Sequence, residues 1–223
     1  MLVRATGRIR GFFSGNYPEN DEEQQMHLNN RGDQIVAQGL PERSELVRMG
    51  ASWGAQLPTG SAFTFVATWP TTRAELVLCN GEDKGGKTYM IDRCWIANIT
   101  SMGAAQPISM LGQLAPAALA IATAANNTAI LRQSLSGKVT NYAGRAMLAL
   151  ANTAFAVANQ WFPLGNGPIA PMTTNLGCSV EANVYGKYLV APVAAFCLAG
   201  LAGTGAGTAI CGIEWHEAQI IGA

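Results

Sequence analysis

Charged side chains are scarce in this 223-residue chain: they make up 13% of it, about half the share of a typical soluble protein. The formal net charge is zero and the sequence pI is about 6.7. The basic field that non-specific nucleic-acid binding requires is therefore missing, and we expect no nucleic-acid partner. Because water has few charges to solvate, much of the surface should be weakly polar or covered by neighbours.

Histidine is rarer still, with only His27 and His216. So little choice of base leaves no defensible Ser/His/Asp or Cys/His arrangement, and the few carboxylates after residue 50 make no convincing glycosidase pair. His216 lies between Glu214 and Glu217, a cluster that suits a metal or acid–base chemistry. Alternation in a final strand, however, places Glu214 and His216 together on a polar exterior face. We predict no catalytic residue, no cofactor and no metal site.

Long apolar runs are also missing. No stretch approaches the ~20 residues that cross a bilayer without interruption by Gly, Pro, Asn or Thr, so we expect no membrane partner. Basic residues at the N-terminus are not followed by an apolar segment; no signal peptide is visible, and synthesis in a cytoplasm is expected. The five cysteines are widely spaced with no CxxC pair, and we interpret them as small buried thiols.

The charges that are present concentrate at the start of the chain, where residues 1–48 carry 13 of the 28. Arg4, Arg8 and Arg10 form a basic cluster, and residues 19–23 form an acidic one beyond several chain-breaking glycines. Such a segment cannot bury enough apolar area to order itself. We predict that residues 1–50 are an extended, charged N-terminal arm. Its partner-contact candidates are Arg4, Arg8 and Arg10 together with Phe12 and Phe13.

The end of this arm carries helix signals. Pro41 suits the first helical position, Glu42 and Glu45 suit the positive N-terminal end, and Arg48 suits the last turn. Gly50 is a stop signal. The pattern predicts one short helix over residues 41–49, and a separate domain over residues 51–223.

Beyond residue 60 the sequence changes to short runs rich in Phe, Val, Thr, Ile and Trp, broken by Gly, Asn and Pro, which is typical of many short strands. Residues 144–158 are ambiguous between helix and strand, and we favour strand. The spacing predicts a mainly β fold, an antiparallel β-sandwich or jelly-roll barrel. The strands are expected at 61–69, 74–79, 88–100, 108–114, 128–135, 178–184, 193–198 and 208–220.

Within residues 88–100, a period-two pattern places Tyr89, Ile91, Trp95 and Ile99 on one face of a long strand. Arg93 and Ala97 lie between them on that same face. A single long strand is the simplest interpretation.

Residues 81–88, GEDKGGKT, satisfy the Walker A spacing of nucleotide-binding loops. A P-loop works only where its glycines lead into a helix N-terminus that holds the phosphates. Here the next residues are typical of a strand, so we interpret the segment as a polar, Gly-rich hairpin loop between antiparallel strands. The glycines of residues 200–207 lack the GxGxxG spacing and also lead into a strand, which again favours a hairpin connection.

Three segments, LCNGEDKGGKTYMIDR at residues 78–93, QWFPLGN at 160–166 and GTAICGIEWHE at 207–217, resemble structural proteins of tailed-phage particles of the jelly-roll or β-sandwich type. Head decoration, cement and spike proteins belong to this class. The resemblance covers residues 60–220 and implies a homotrimer on a capsid lattice whose terminal arm grips neighbours. It therefore implies a virion location, with self and a major capsid or other virion protein as partners. The long charge-free stretches between Arg93 and Arg132 and between Arg145 and Glu181 agree with interface surfaces.

Two other functions remain open at this point. A glycan- or receptor-binding module on the same fold would use exposed aromatics beside polar groups; Trp161 with Asn159 and Asn166, or Trp215 with Glu214, are the candidates. A nucleotide-binding enzyme using residues 81–88 is the remote alternative. The favoured function is that of a capsid decoration or cement protein, which is not an enzyme.

Overall fold

The computed structural model describes residues 42–48, 50–70, 73–100, 106–116, 132–135, 145–152, 160–167, 179–203 and 207–219. The chain divides into two compact units, Met1–Glu45 and Leu46–Ala223, and every described strand belongs to the second. The elements are α1 Glu42–Arg48, β1 Ser52–Gln56, a 3₁₀ helix Thr59–Ser61, β2 Phe63–Thr64, β3 Ala74–Asn80, β4 Lys87–Asn98, β5 Ile108–Pro116, β6 Arg132–Ser134, β7 Ala146–Asn152, β8 Phe162–Asn166, β9 Ser179–Val190, β10 Ala194–Ala202 and β11 Thr208–Gln219.

The strands form two sheets. Sheet I has the order β6-β1-β11-β4-β9, with β2 also paired to β11, and sheet II has the order β7-β3-β10-β5-β8. All the pairings between these strands are antiparallel. The prediction of a mainly β, antiparallel sandwich is confirmed.

The main hydrophobic core lies between the two sheets. Each fully buried large side chain there contributes roughly 1.5–3 kcal/mol of transfer free energy. The face of each sheet that borders this core is called its inner face, and the opposite face its outer face. Sheet I supplies Trp53, Tyr89, Ile91, Cys94, Ile96, Ile213 and Trp215, and sheet II supplies Leu76, Leu78, Ile108, Met110, Phe196 and Leu198.

The outer face of sheet II is also buried. Its side chains form a second cluster of small residues that includes Ala74, Val77, Cys79, Ala195 and Cys197. Burial on both faces explains why β3 is a continuous run of buried residues, whereas a strand with one solvated face would alternate.

Helix α1 ends as its sequence predicts. Gly50 adopts a left-handed φ of 74°, which costs glycine little. The amide of Gly50 donates to the Val47 carbonyl at 3.0 Å, and the amide of Ala51 donates to the Leu46 carbonyl at 3.0 Å. These two bonds form a Schellman motif. The predicted short helix is confirmed; Pro41 and Met49 lie outside the described residues.

Most predicted strands are present, and residues 146–152 of the ambiguous segment are a strand, β7. Residues 144 and 153–158 of that segment lie outside the described residues, as do residues 128–131. The prediction over residues 61–69 is wrong in extent: a 3₁₀ helix, the two-residue β2 and one isolated bridge at Val66 replace one strand. Strands β1 and β8 were not predicted, because Gly54 and Ala55 in one and Pro163 and Gly165 in the other dilute the β-forming residues.

The single-face prediction for residues 88–100 is wrong. Tyr89 and Ile91 point into the core, but so do Cys94 and Ile96, which places Trp95 on the outer face. The cause is an irregularity at Asp92, where pairing with β11 passes from Glu214–Arg93 directly to Trp215–Ile91. One additional residue on one strand exchanges the two faces of everything beyond it.

Candidate functional site

The five predicted partner-contact residues, Arg4, Arg8, Arg10, Phe12 and Phe13, lie outside the described residues. The candidate features among the described residues lie on the outer face of sheet I and in the segments that lead into it.

The Walker-like segment connects the two sheets. Strand β3 ends at Asn80 in sheet II and β4 begins at Lys87 in sheet I, so the predicted hairpin is wrong, although the predicted entry into a strand is confirmed. Turn residues look the same in both kinds of connection, since both need a sharp local reversal. Gly85, at a φ of 83°, supplies it, and the Gly86 amide closes the turn on the Asp83 carbonyl at 2.8 Å.

Asn80 and Lys87 are both committed to contacts within the fold. The buried Asn80 amide group donates to the carbonyls of Lys87 and Val190, each at 2.8 Å, and its Oδ1 accepts from the Glu82 amide at 3.0 Å. The Nζ atom of Lys87 donates to Oε2 of the buried Glu217 at 3.3 Å. The lysine of the Walker pattern is thus directed at a carboxylate of β11.

The glycine-rich segment at residues 200–207 is likewise a connection between sheets, from β10 to β11, and the predicted hairpin is wrong. Gly200 itself lies within β10. A side chain there would approach ring atoms of Phe63 to 2.7 Å and of Phe65 to 3.0 Å, so this glycine serves packing in the core. Residues 204–206 lie outside the described residues.

His216 faces away from the core as alternation predicts, but it is not exposed: only 8% of its side chain is accessible. Its Nδ1 lies 2.8 Å from Oδ2 of Asp92, whose side chain is 14% accessible. Because an ionised carboxylate only accepts, Nδ1 carries the proton of this bond. Its Nε2 lies 3.0 Å from the sulfur of Met90. The prediction of an exterior polar His216 is corrected, and a histidine–aspartate pair takes its place.

The cover over His216 comes from an irregularity in β9. Pairing of β4 with β9 passes from Arg93–Asn183 to Ile91–Tyr188, so residues 184–187 of β9 lie opposite a single residue of β4. Tyr185 and Gly186 take left-handed φ values of 52° and 73°. A Cβ on Gly186 would lie 3.8 Å from His216 Cε1. We name residues 184–187 the β9 bulge; non-glycine left-handed backbone of this kind persists only where the surroundings hold it.

This pair has the orientation of a carboxylate-supported imidazole, which in enzymes positions a base. Here Nε2, the nitrogen that would serve a substrate or a metal, faces Met90. Among the described residues, no group of three or more His, Cys, Asp or Glu side chains is placed to hold a metal ion. The contacts support a structural role, in which the bond between Asp92 and His216 joins β4 to β11 beneath the β9 bulge.

Next to this pair, Arg93 connects three strands. Its Nη1 donates to Glu214 at 2.9 Å and its Nη2 to Glu181 at 2.8 Å. Hydrogen bonding to Glu181 raises the pKa of Arg93 against the opposing effect of burial, and the same bond lowers the pKa of Glu181. Asn183 Nδ2 adds a bond of 3.3 Å to the other Glu181 oxygen. Two carboxylates therefore share one guanidinium in a fixed arrangement.

Trp95 is the aromatic residue that sequence reasoning misplaced. Its indole lies on Gly212 of β11: a Cβ at position 212 would come within 2.5–2.7 Å of Cε2, Cζ2 and Nε1 of the ring. Only glycine at that position lets the ring lie this close to the sheet. The signal in the sequence was a glycine in the middle of a strand, which marks a close approach.

The two aromatic candidates for glycan binding lie in different surroundings. Trp215 is fully buried in the core, so its pairing with Glu214 as a sugar site is wrong. Trp161 is partly buried against the outer-face cluster of sheet II. Asn159 lies outside the described residues, so this second combination stays incomplete.

Four of the five cysteines fall in the described part of the chain, and all four are free and buried, as predicted. Burial raises the pKa of Cys79 to about 12 and raises the pKa of Cys94, Cys197 and Cys211 as well. They have the character of small apolar residues. Cys178 lies outside the described residues.

Comparison with known protein families, with curated proteins and with solved structures finds no match. Within the described ranges no helix is long and apolar enough to span a membrane.

Proposed function

We propose that this protein is a structural component of a phage particle, a capsid decoration or cement protein that stabilises the shell by self-association and through its N-terminal arm. The phage assignment rests on the resemblance of residues 60–220 to such proteins. The self-association rests on an observation in the sandwich itself.

That observation concerns which side chains of the sandwich are paired and which are exposed. Most charged side chains of the described sandwich are bonded to one another, as in the pairs Arg73–Glu75, Lys87–Glu217, Arg93–Glu181, Arg93–Glu214 and Arg145–Asp83. Large apolar side chains remain exposed instead, and Tyr185 and Leu189 on β9 are among the most accessible, at 67% and 46%. Depletion of free charge together with exposed aromatic and aliphatic groups is typical of protein interfaces.

We place the contact between copies at the end of sheet I that carries Leu189. Leu189 pairs with Met90, and Met90 pairs with His216, so these residues form one cross-strand row of the outer face. Leu135, which is 41% exposed, continues this row beyond β1, because its backbone amide donates a hydrogen bond to the Ser52 carbonyl. Tyr185 adds an aromatic anchor on the β9 bulge, the residue type that is enriched at the centre of interfaces.

Sedimentation equilibrium across the micromolar range tests this assignment. The wild type should be an oligomer, and Leu189→Asp should shift the mass toward that of the monomer, because a carboxylate in an apolar contact must be desolvated. Leu114→Asp is the matched control, since Leu114 is also an exposed leucine, at 38%, but belongs to sheet II. A wild type that remains monomeric contradicts the function; an oligomer that both variants leave unchanged contradicts the surface.

The arm has its own test. Forty extended residues reach on the order of 130 Å, enough to contact a neighbouring subunit or shell protein. Deleting residues 1–40 should leave the sandwich folded, by circular dichroism, but lower its co-sedimentation with the particle, and more so at high salt, because exposed ion pairs are weak and screened. Normal decoration by the truncated protein would show that the arm is dispensable.

A further inference from the structure

The outer face of sheet I carries a second feature at its other end, around Trp95. One cross-strand row consists of Gln56, Gly212, Trp95 and Glu181 on β1, β11, β4 and β9. Trp95 is half-buried, and its indole lies flat on the sheet over Gly212, while Gln56 and Glu181 at the two ends of the row are exposed. The row thus presents an aromatic ring with a polar, planar group on either side of it.

The next row of the same face adds fixed polar groups. Glu214 pairs with Arg93, and Arg93 pairs with Asn183. The bonds of Arg93 to Glu214 and Glu181, and of Asn183 to Glu181, hold these groups in place. A carboxylate has about four lone-pair sites, so each still has capacity to accept hydrogen bonds from a ligand. We name Gln56, Arg93, Trp95, Glu181 and Glu214 the Trp95 surface.

We propose that the Trp95 surface binds a saccharide. The apolar C–H face of a pyranose ring would lie on the indole, and its hydroxyl groups would donate to Glu181 and Glu214 and exchange hydrogen bonds with Gln56. Aromatic surface combined with a few positioned polar groups is the composition of small-ligand sites, and hydrogen-bonding groups already held in place lose little entropy on binding.

Charge and size favour this ligand class over the alternatives. A cationic peptide would also match a tryptophan beside carboxylates, but Arg93 bonds to both carboxylates and offsets one of their two charges, so a single net negative charge remains for it. The surface extends across four neighbouring strands, about 14 Å, and along them over the distance between two rows on one face, about 7 Å. That is roughly 100 Å², far below the ~800 Å² per partner of a standard protein interface.

The proposal is independent of self-association. Trp95 and Met90 are five residues apart on β4, about 17 Å along the strand, so the ring at the centre of one surface lies well away from the row that carries the other. A variant of one surface should leave the other intact.

The experiment begins with the wild-type full chain on an array of immobilised glycans and continues with the free form of the best-bound saccharide in a ¹H–¹⁵N NMR titration. The indole N–H resonance that is missing from the Trp95→Phe spectrum identifies Trp95, and we expect it to shift with added saccharide. Trp95→Ala should weaken binding at least ten-fold. Glu181→Gln, which keeps the shape of an exposed side chain, should weaken it several-fold.

Trp69→Ala is the matched control, because Trp69 is 52% exposed but lies outside the strands of sheet I, and it should bind as the wild type does. If Trp95→Ala unfolds, Gly212→Ala provides the test, since the new methyl group must displace the indole while leaving the tryptophan in the chain. The proposal is overturned if no glycan binds, if the Trp95 variants bind as tightly as the wild type, if Trp69→Ala loses binding equally, or if an arginine-rich peptide shifts the Trp95 resonance and the saccharide does not. Loss of saccharide binding with an unchanged sedimentation mass supports it and leaves the proposed self-association standing.

Discussion

Replacing Asp92 by Asn tests whether the buried histidine–aspartate pair holds the sandwich together around the β9 bulge. The substitution keeps the shape and an acceptor oxygen for His216 Nδ1 but removes the charge. Hydrogen bonds to charged groups contribute about 1.5–3 kcal/mol, against about 1 kcal/mol for neutral ones, so we expect a loss of roughly 1–2 kcal/mol. For a domain of this size that corresponds to a fall in Tm of about 2–8 °C.

Asp83→Asn is the matched control. Its carboxylate bonds to Arg145 at 2.6 Å but is 85% exposed, whereas that of Asp92 is 14% exposed. Solvent screening should limit the cost of losing the exposed pair to about 1 kcal/mol or less. Urea unfolding and scanning calorimetry at one fixed protein concentration, which removes the contribution of mass action, give the comparison. Equal losses in the two variants, or a loss below about 0.5 kcal/mol for Asp92→Asn, would refute the structural role derived for the pair.

Three further outcomes are expected. A nucleotide titration should detect no tight ATP binding, since Lys87 is engaged by Glu217; tight binding that Lys87→Ala abolishes would contradict this. Native protein at pH 8 should leave Cys79 unreacted with a thiol reagent until it unfolds, because burial raises its pKa to about 12, and fast labelling of Cys79 located by mass spectrometry would be the opposite result. Desolvation raises the pKa of Glu75 against the opposing effect of Arg73. At pH values between the ordinary carboxyl pKa and this raised one, the folded state therefore holds a proton that the unfolded state has released. The free energy of unfolding should fall as pH rises through this range, and Glu75→Gln should remove the slope.

The apolar pattern alone determined the class of fold and most of the strands, because period-two alternation and turn residues are local signals. The helix end at Gly50 was equally local: a glycine there accepts a left-handed φ, and a Schellman motif needs no tertiary contact. The buried thiols were also predictable for the described cysteines, because Cys behaves as a small apolar residue when no partner spacing is present.

Tertiary structure decided the surface features. Residues 81–86 and 203–207 connect the two sheets. No local pattern distinguishes such a connection from a hairpin, because the neighbours of each strand are set by side chains far away in the chain. The irregularity at Asp92 decided which residues face solvent: strict alternation would have left Trp95 beside Tyr89 and Ile91, but one unmatched residue turned it onto the outer face over Gly212. Such an irregularity disturbs only a few backbone hydrogen bonds where it occurs. The irregularity at Asp92 is held by the bond between Asp92 and His216, which are 124 residues apart in sequence and meet only after the sheet has formed.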